Sequence, residues 1–233
     1  MANASTLEGM APGRVKGVER VQRAPEERFH ALAHVIDVPA LERASRWQRA
    51  DAAVGVDGVT QEPYGRERAA HLQGLHARLQ APRYRHQPLR RVPIPKGQGK
   101  TRPSGIAAFA DTVVQDAVRE VLEGIDEQDC LECSYGFRPG RRAHDAVRPL
   151  DQIVHRGEGA GIREADIVSC FDSEDRTALK EMLALRVVDG SLLRRIGTGW
   201  HVGVRDGEAY VELAWGTAQG AVRLPLVGNV SLH

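Results

Sequence analysis

Residues 134–147 read SYGFRPGRRAHDAV and gather three arginines (Arg138, Arg141, Arg142), two aromatic rings (Tyr135, Phe137), a turn-forming Gly136 and a Pro139–Gly140 break. Guanidinium groups are permanently charged planar forks that match phosphate oxygens, so this chemistry suits a nucleic-acid backbone. From composition alone, Gly-Phe-Arg-Pro-Gly could equally be an ordinary loop entering a helix. Cys130 and Cys133 form a single C-x-x-C, and with no second pair nearby a structural role is favoured over zinc or redox chemistry. Gly99-Lys100-Thr101 resembles the end of a phosphate-binding P-loop, but that motif requires a glycine where Ile94 stands, which excludes it.

Charge distribution points the same way as the arginine run. The net charge of the 233 residues is only +1, yet no acidic residue lies between Glu67 and Asp111. Arg68, Arg78, Arg83, Arg85, Arg90, Arg91, Lys96, Lys100 and Arg102 all fall in that gap. The following segment carries Asp116, Glu120, Glu123, Asp126, Glu127, Asp129 and Glu132, which cancels the sum without cancelling the local field. Such a run is either a solvated face or a polyanion surface, and its length favours the polyanion surface. Only four of the 32 basic residues are lysines, which fits phosphate recognition or a GC-rich coding bias.

The elements that must position these groups follow from periodicity. Composition is 42% hydrophobic and 27% charged, as in an ordinary globular core. No apolar run resembles a signal peptide or membrane span, and the odd cysteine count suits reduced thiols, so a cytoplasmic location is expected. Residues 1–24 read as a loose tail. A helix is predicted from Pro25 to about Asp37, a second from Pro39 to about Ala50, and a third capped by Thr60 with Tyr64, Leu72, Leu75 and Leu79 inward. RRVPIP and TRPSGI then form a hairpin around Lys96–Lys100. A helix over about 110–125 buries Val113, Val114, Ala117, Val121 and Leu122. Another over 143–155 is expected to bury Ala146, Val147, Leu150, Ile153 and Val154. A strand over Ile162–Val168, helices near 175–185 and 189–200, and a hairpin at Asp206-Gly207 complete the pattern.

Five blocks in order resemble the group II intron reverse transcriptases/maturases: AAVGVDGVT (52–60), VPIPKGQGKTRPSGI (92–106), DTVVQDAV (111–118), SYGFRPGRRAHDAV, and ADIVSCFD (165–172) through GTAQGAVRLPLVGNVSLH (216–233). The resemblance implies an α+β fold, the fingers and partial palm of a right-hand polymerase, helix-rich with an incomplete antiparallel sheet. Residues 25–87 would be a helical extension, 88–160 the fingers and 161–233 the partial palm. It implies RNA-directed DNA synthesis by two-metal nucleotidyl transfer, with Mg²⁺ as cofactor. Intron RNA, an RNA template with DNA primer, and dNTP would be the partners.

By the same resemblance Asp166 is the first catalytic, metal-binding carboxylate. Lys96, Lys100 and Arg102 would neutralise the incoming triphosphate, Phe171 would crowd its sugar 2′ position and Gln219 would help hold it. Arg83, Arg85, Arg90, Arg91, Arg138, Arg141 and Arg142 would face RNA. Two Mg²⁺ ions need several converging carboxylates. The family's Tyr-Ala-Asp-Asp hairpin is not matched, and no Asp-Asp pair occurs in the sequence. Ser104, Val168, Ala218, Ala221 and Leu224 also depart from the family pattern. The expectation is therefore an N-terminal fragment inactive as a polymerase, with RNA binding or a vestigial state as the alternatives. Its incomplete sheet is expected to leave an apolar edge near 162–169, open to self-association.

Overall fold

The computed structural model describes residues 27–81, 84–97, 99–157, 161–168, 170–212 and 228–229, with the backbone alone for Gly97, Lys100, Arg102, Phe171 and Asp172. Eight helices and four strands are named: α1 Val38–Trp47, α2 Gln61–Arg66, α3 Arg68–Gln80, β1 Leu89–Gly97, β2 Lys100–Ile106, α4 Phe109–Asp129, α5 Ala143–Arg156, α6 Cys170–Ser173, α7 Arg176–Arg186, α8 Gly190–Trp200, β3 Val204–Asp206 and β4 Ala209–Val211. The predicted helices near 39–50, 110–125, 143–155, 175–185 and 189–200, both hairpins and the α+β class are present, whereas the third predicted helix is broken at Glu67 into α2 and α3 and Thr60 makes no side-chain cap bond.

Helix α4 is the axis of the core. Val113, Val114, Ala117, Val118, Leu122 and Ile125 recur at helical spacing and are buried. Against them pack α1 (Leu41, Ala44), α3 (Leu72, Leu75, Leu79) and the pair α7 and α8 (Leu183, Leu192, Ile196). Asp37 caps α1 by accepting from the Ala40 N–H at 2.8 Å, and Pro39 sits in its first turn. The sheet has the order β2-β1-β3-β4. It is mixed rather than antiparallel as expected: β1 and β3 pair in parallel, Leu89 opposite Val204 and Arg90 opposite Arg205.

Three expectations need correction. The chain ahead of α1 is not a helix ending at Asp37 but a bridge of Phe29 to Val187 and a single 3-10 turn, Ala33–Val35. The cause is Asp189, whose carboxylate accepts from the Leu32 and Ala33 N–H groups at 2.6 and 2.7 Å. It also caps α8 through the Ser191 and Leu192 N–H groups at 2.9 and 3.1 Å. Burial opposes the charge, but these four N–H groups outweigh it and hold the carboxyl below its ordinary range.

The predicted strand 162–168 carries no strand, and every one of residues 161–168 is exposed. A strand needs a neighbour to take its N–H and C=O groups, and none lies beside it among the described residues. Its apolar side chains are nonetheless open, Ile162 at 72% and Val168 at 84% exposure. Helix α5 forms where predicted, but none of its residues is buried. Val147, Leu150, Ile153 and Val154, expected in the core, line one exposed side of it.

Candidate nucleic-acid interface

The hairpin β1–β2 pairs Ile94 with Arg102 and Val92 with Ser104, and turns at Gly99, whose φ of 73° is left-handed and suits glycine. The register shifts between Pro95 and Gly97, so Lys96 sits at an irregularity that re-aims its exposed side chain. Arg90 donates from Nε to the Val54 carbonyl at 2.7 Å, tying the hairpin base to the 52–60 segment. That segment fits tightly, because a Cβ on Gly55 would collide with the Ala107 carbonyl. Arg91 lies on the other face of β1 and reaches Asp206 at 3.6 Å, joining the two hairpins.

The approach to β1 is set by Asp111, a residue the sequence reading did not single out. Buried at the start of α4, it accepts from the Tyr84 hydroxyl at 2.5 Å and the Gln87 N–H at 2.7 Å, with His86 Nδ1 at 3.2 Å. Burial first, then the Asp111 charge, pushes the Tyr84 phenol far up, so it stays a hydrogen-bond donor at neutral pH. The only sequence signal was that Asp111 is the first acid after the long basic gap.

The loop from α4 to α5 carries the signature arginines, and they divide into different tasks. Arg138 is turned inward, its side chain 4% exposed. Nε and Nη2 donate to the Glu127 carboxylate at 3.2 and 2.9 Å, and Nη1 donates to the Leu131 and Ser134 carbonyls at 2.6 and 2.9 Å. Its fork is consumed in closing the loop. Arg141 pairs with Glu132 at 2.8 Å and stands 5.3 Å over the Tyr135 ring. Its hydrogen bond and charge hold the Glu132 carboxyl below the ordinary range. Arg142 is exposed, and its backbone N–H donates to Asp145 at 3.0 Å at the start of α5. Between them Phe137 is held at φ 55° with 74% of its surface exposed. A bulky side chain in that left-handed region costs on the order of 1–2 kcal/mol. Arg138 on one side and the Asn229 amide donating to the Gly136 carbonyl at 3.2 Å on the other enforce it.

Asp166 is exposed on the 161–168 segment. Among the described residues no three His, Cys, Asp or Glu side chains converge to hold a metal ion, so those residues do not fit a two-Mg²⁺ centre. Burial, with Glu174 and Asp166 nearby, pushes the Cys170 thiol up. Cys130 and Cys133 are free thiols. Arg85 is exposed just ahead of β1. Arg83 and Gln219 lie outside the described residues, as do the side chains of Lys100, Arg102 and Phe171.

The geometry defines a helix-rich α+β protein with Lys96 exposed on a hairpin and a loop stapled by Arg138. No protein-family model matches the chain. It is 36% identical to protein YkfC of Escherichia coli over 182 residues, 77% of this chain and 48% of YkfC. It is 36% identical to the group II intron-encoded protein LtrA of Lactococcus lactis over 151 residues, 64% of this chain and 25% of LtrA. A 91 kDa protein of the cob intron of Schizosaccharomyces pombe is 33% identical over 155 residues, 66% of this chain and 19% of that protein. Over the matched part, the chain belongs to the family of group II intron-encoded maturase/reverse transcriptase proteins. It spans about half the length of YkfC and a quarter of LtrA. Among the described residues, no helix is long and apolar enough to cross a membrane.

Proposed function

We propose that this chain binds group II intron RNA as the RNA-gripping part of a maturase/reverse transcriptase, and does not itself carry out nucleotidyl transfer. The observation that carries the reading is the stapled loop. Phe137 is held in a left-handed conformation at the surface, with exposed Arg142 in the same loop and most of its own surface open to solvent. An exposed aromatic face next to cations is what a single-stranded base and its phosphate need. Lys96 and the acid-free hairpin extend the basic surface. RNA-directed DNA synthesis, dNTP binding and Mg²⁺ are what the family resemblance implies for longer members. No step is drawn through Mg²⁺, because the described carboxylates do not converge.

The salt dependence of binding to a structured intron RNA tests this. Each phosphate neutralised contributes about 0.7 to 0.9 to the slope of log affinity against log salt. Cations on the hairpin and loop predict a slope steeper than about −2, whereas a flat response would refute the reading.

A further inference from the structure

A second basic site lies apart from the hairpin tip and the signature loop, with Arg85, which the resemblance assigns to RNA, on one wall. A cleft of about 910 Å³ opens between α7, α8, the segment before β1 and the chain entering β3. Arg176, Thr177 and Lys180 share one face of α7. Gly190, Leu193, Arg194, Gly197 and Thr198 form one stripe of α8, with the two glycines leaving room between the helices. Trp200 and Val202, both largely buried, line it too. No acidic side chain lines it among the described residues.

Elsewhere the arginines are mostly spent on carboxylates: Arg43 on Glu120, Arg119 on Asp116 and Glu123, Arg138 on Glu127. Here Arg85, Lys180 and Arg194 are exposed, and among the described residues none of them has an ion-pair partner. Arg176 reaches Nδ1 of the exposed His201 at 3.4 Å. His86, another wall of the cleft, has a side chain only 2% exposed, and its Nδ1 lies 3.2 Å from Asp111. At the rim, Tyr210 is 54% exposed and lies directly over Gly203, where a Cβ would strike its ring. The glycine is what lets the ring settle there.

We propose that this cleft seats a single-stranded stretch of RNA, its phosphates against Arg85, Lys180 and Arg194 and a base on Tyr210. The proposal rests on the RNA-binding reading above and extends it to a second contact region. Cleft and hairpin tip stand at opposite ends of β1, about 26 Å apart along an eight-residue rise, so one strand could touch both.

The test is fluorescence anisotropy with a labelled oligouridylate, on the full chain and on Lys180→Gln/Arg194→Gln. Both side chains are exposed on helix surfaces, and an unchanged thermal melt verifies that the fold is kept. The double variant is expected to bind more weakly, with a salt slope shallower by about 1.4, two single-strand phosphates at about 0.7 each. Tyr210→Ala is expected to lose roughly tenfold or more in affinity at unchanged slope, the signature of lost stacking. If the double variant keeps wild-type affinity and slope while Lys96→Gln/Arg142→Gln weakens binding, the cleft is not an RNA site and the wider reading stands. If the wild type binds neither oligouridylate nor intron RNA, both fall. Displacement of the oligouridylate by ATP or inorganic phosphate at micromolar concentration would overturn the proposal in favour of a mononucleotide or phosphate site.

Discussion

Replacing Arg138 separates a loop staple from a phosphate ligand. Its guanidinium is 4% exposed, Glu127 is 19% exposed, and donors on all three nitrogens are engaged by Glu127, Leu131 and Ser134. Removing one partner of a buried ion pair costs about 3–5 kcal/mol. The partial exposure of Glu127 places Arg138→Gln and Glu127→Gln at the lower end, about 3 kcal/mol each. Arg138→Lys keeps the charge but offers one nitrogen in place of a planar fork, so part of the loss remains. The loop connects α4 to α5 and adds little to the core, so the cost should appear as local opening rather than global unfolding. Native-state hydrogen exchange reads it at Ser134, whose N–H donates to Leu131 at 3.0 Å, and at Arg141, whose N–H donates to Arg138 at 3.3 Å. About 3 kcal/mol corresponds to roughly a hundredfold faster exchange there, with α4 unchanged. Both variants should then weaken RNA binding equally, because both release Phe137. If Arg138→Gln abolished RNA binding while exchange stayed at the wild-type rate and Glu127→Gln bound normally, Arg138 would be a direct phosphate ligand and this reasoning would fail.

Other outcomes follow from buried charge. Asp189→Ala removes a helix cap, about 1 kcal/mol, and two charge-assisted bonds to Leu32 and Ala33, about 1.5 kcal/mol each. Its urea midpoint should drop by the equivalent of about 4 kcal/mol, against about 1 kcal/mol for Asp175→Ala, which caps α7 alone. Because the Asp189 carboxyl lies below its ordinary range, its contribution is present above the unfolded value near 3.9 and is lost as pH falls through the folded value. Asp126 behaves oppositely: burial, then the Asp129 charge, pushes it up to about 8 against the pull of Arg186. Its folded form is neutral, so stability is fullest below its unfolded value and declines as pH rises through about 8. Urea midpoints between pH 6 and 9 should fall for the wild type and stay level for Asp126→Asn. In primer extension with Mg²⁺ and dNTPs, the wild type and Asp166→Ala should be equally inactive.

The β1–β2 hairpin was legible in the sequence because two β-patterned runs flank a Gly/Lys turn, and α4 because its apolar residues repeat at helical spacing over five turns. The outward side of α5 was not, since a hydrophobic stripe says that a face is apolar and not that anything covers it. Residues 162–168 read as a strand from composition and resemblance, but a strand exists only with a neighbour to pair with. Phe29 illustrates a third limit: its segment is fixed by Asp189, 160 residues away, a contact no local pattern announces. The signature loop was found at once from residue types. Which of its arginines faces inward was decided by Glu127, on the last turn of α4 and seven residues ahead of the motif.

Photocrosslinking of 4-thiouridine-labelled intron RNA to the full chain, with the adducts mapped by mass spectrometry, tests the central claim most directly. Adducts are expected on the peptides carrying Lys96 and Phe137, diminished at high salt and lost at position 137 in Phe137→Ala. Adducts confined to α1–α3, or none under conditions where the RNA is bound, would contradict it.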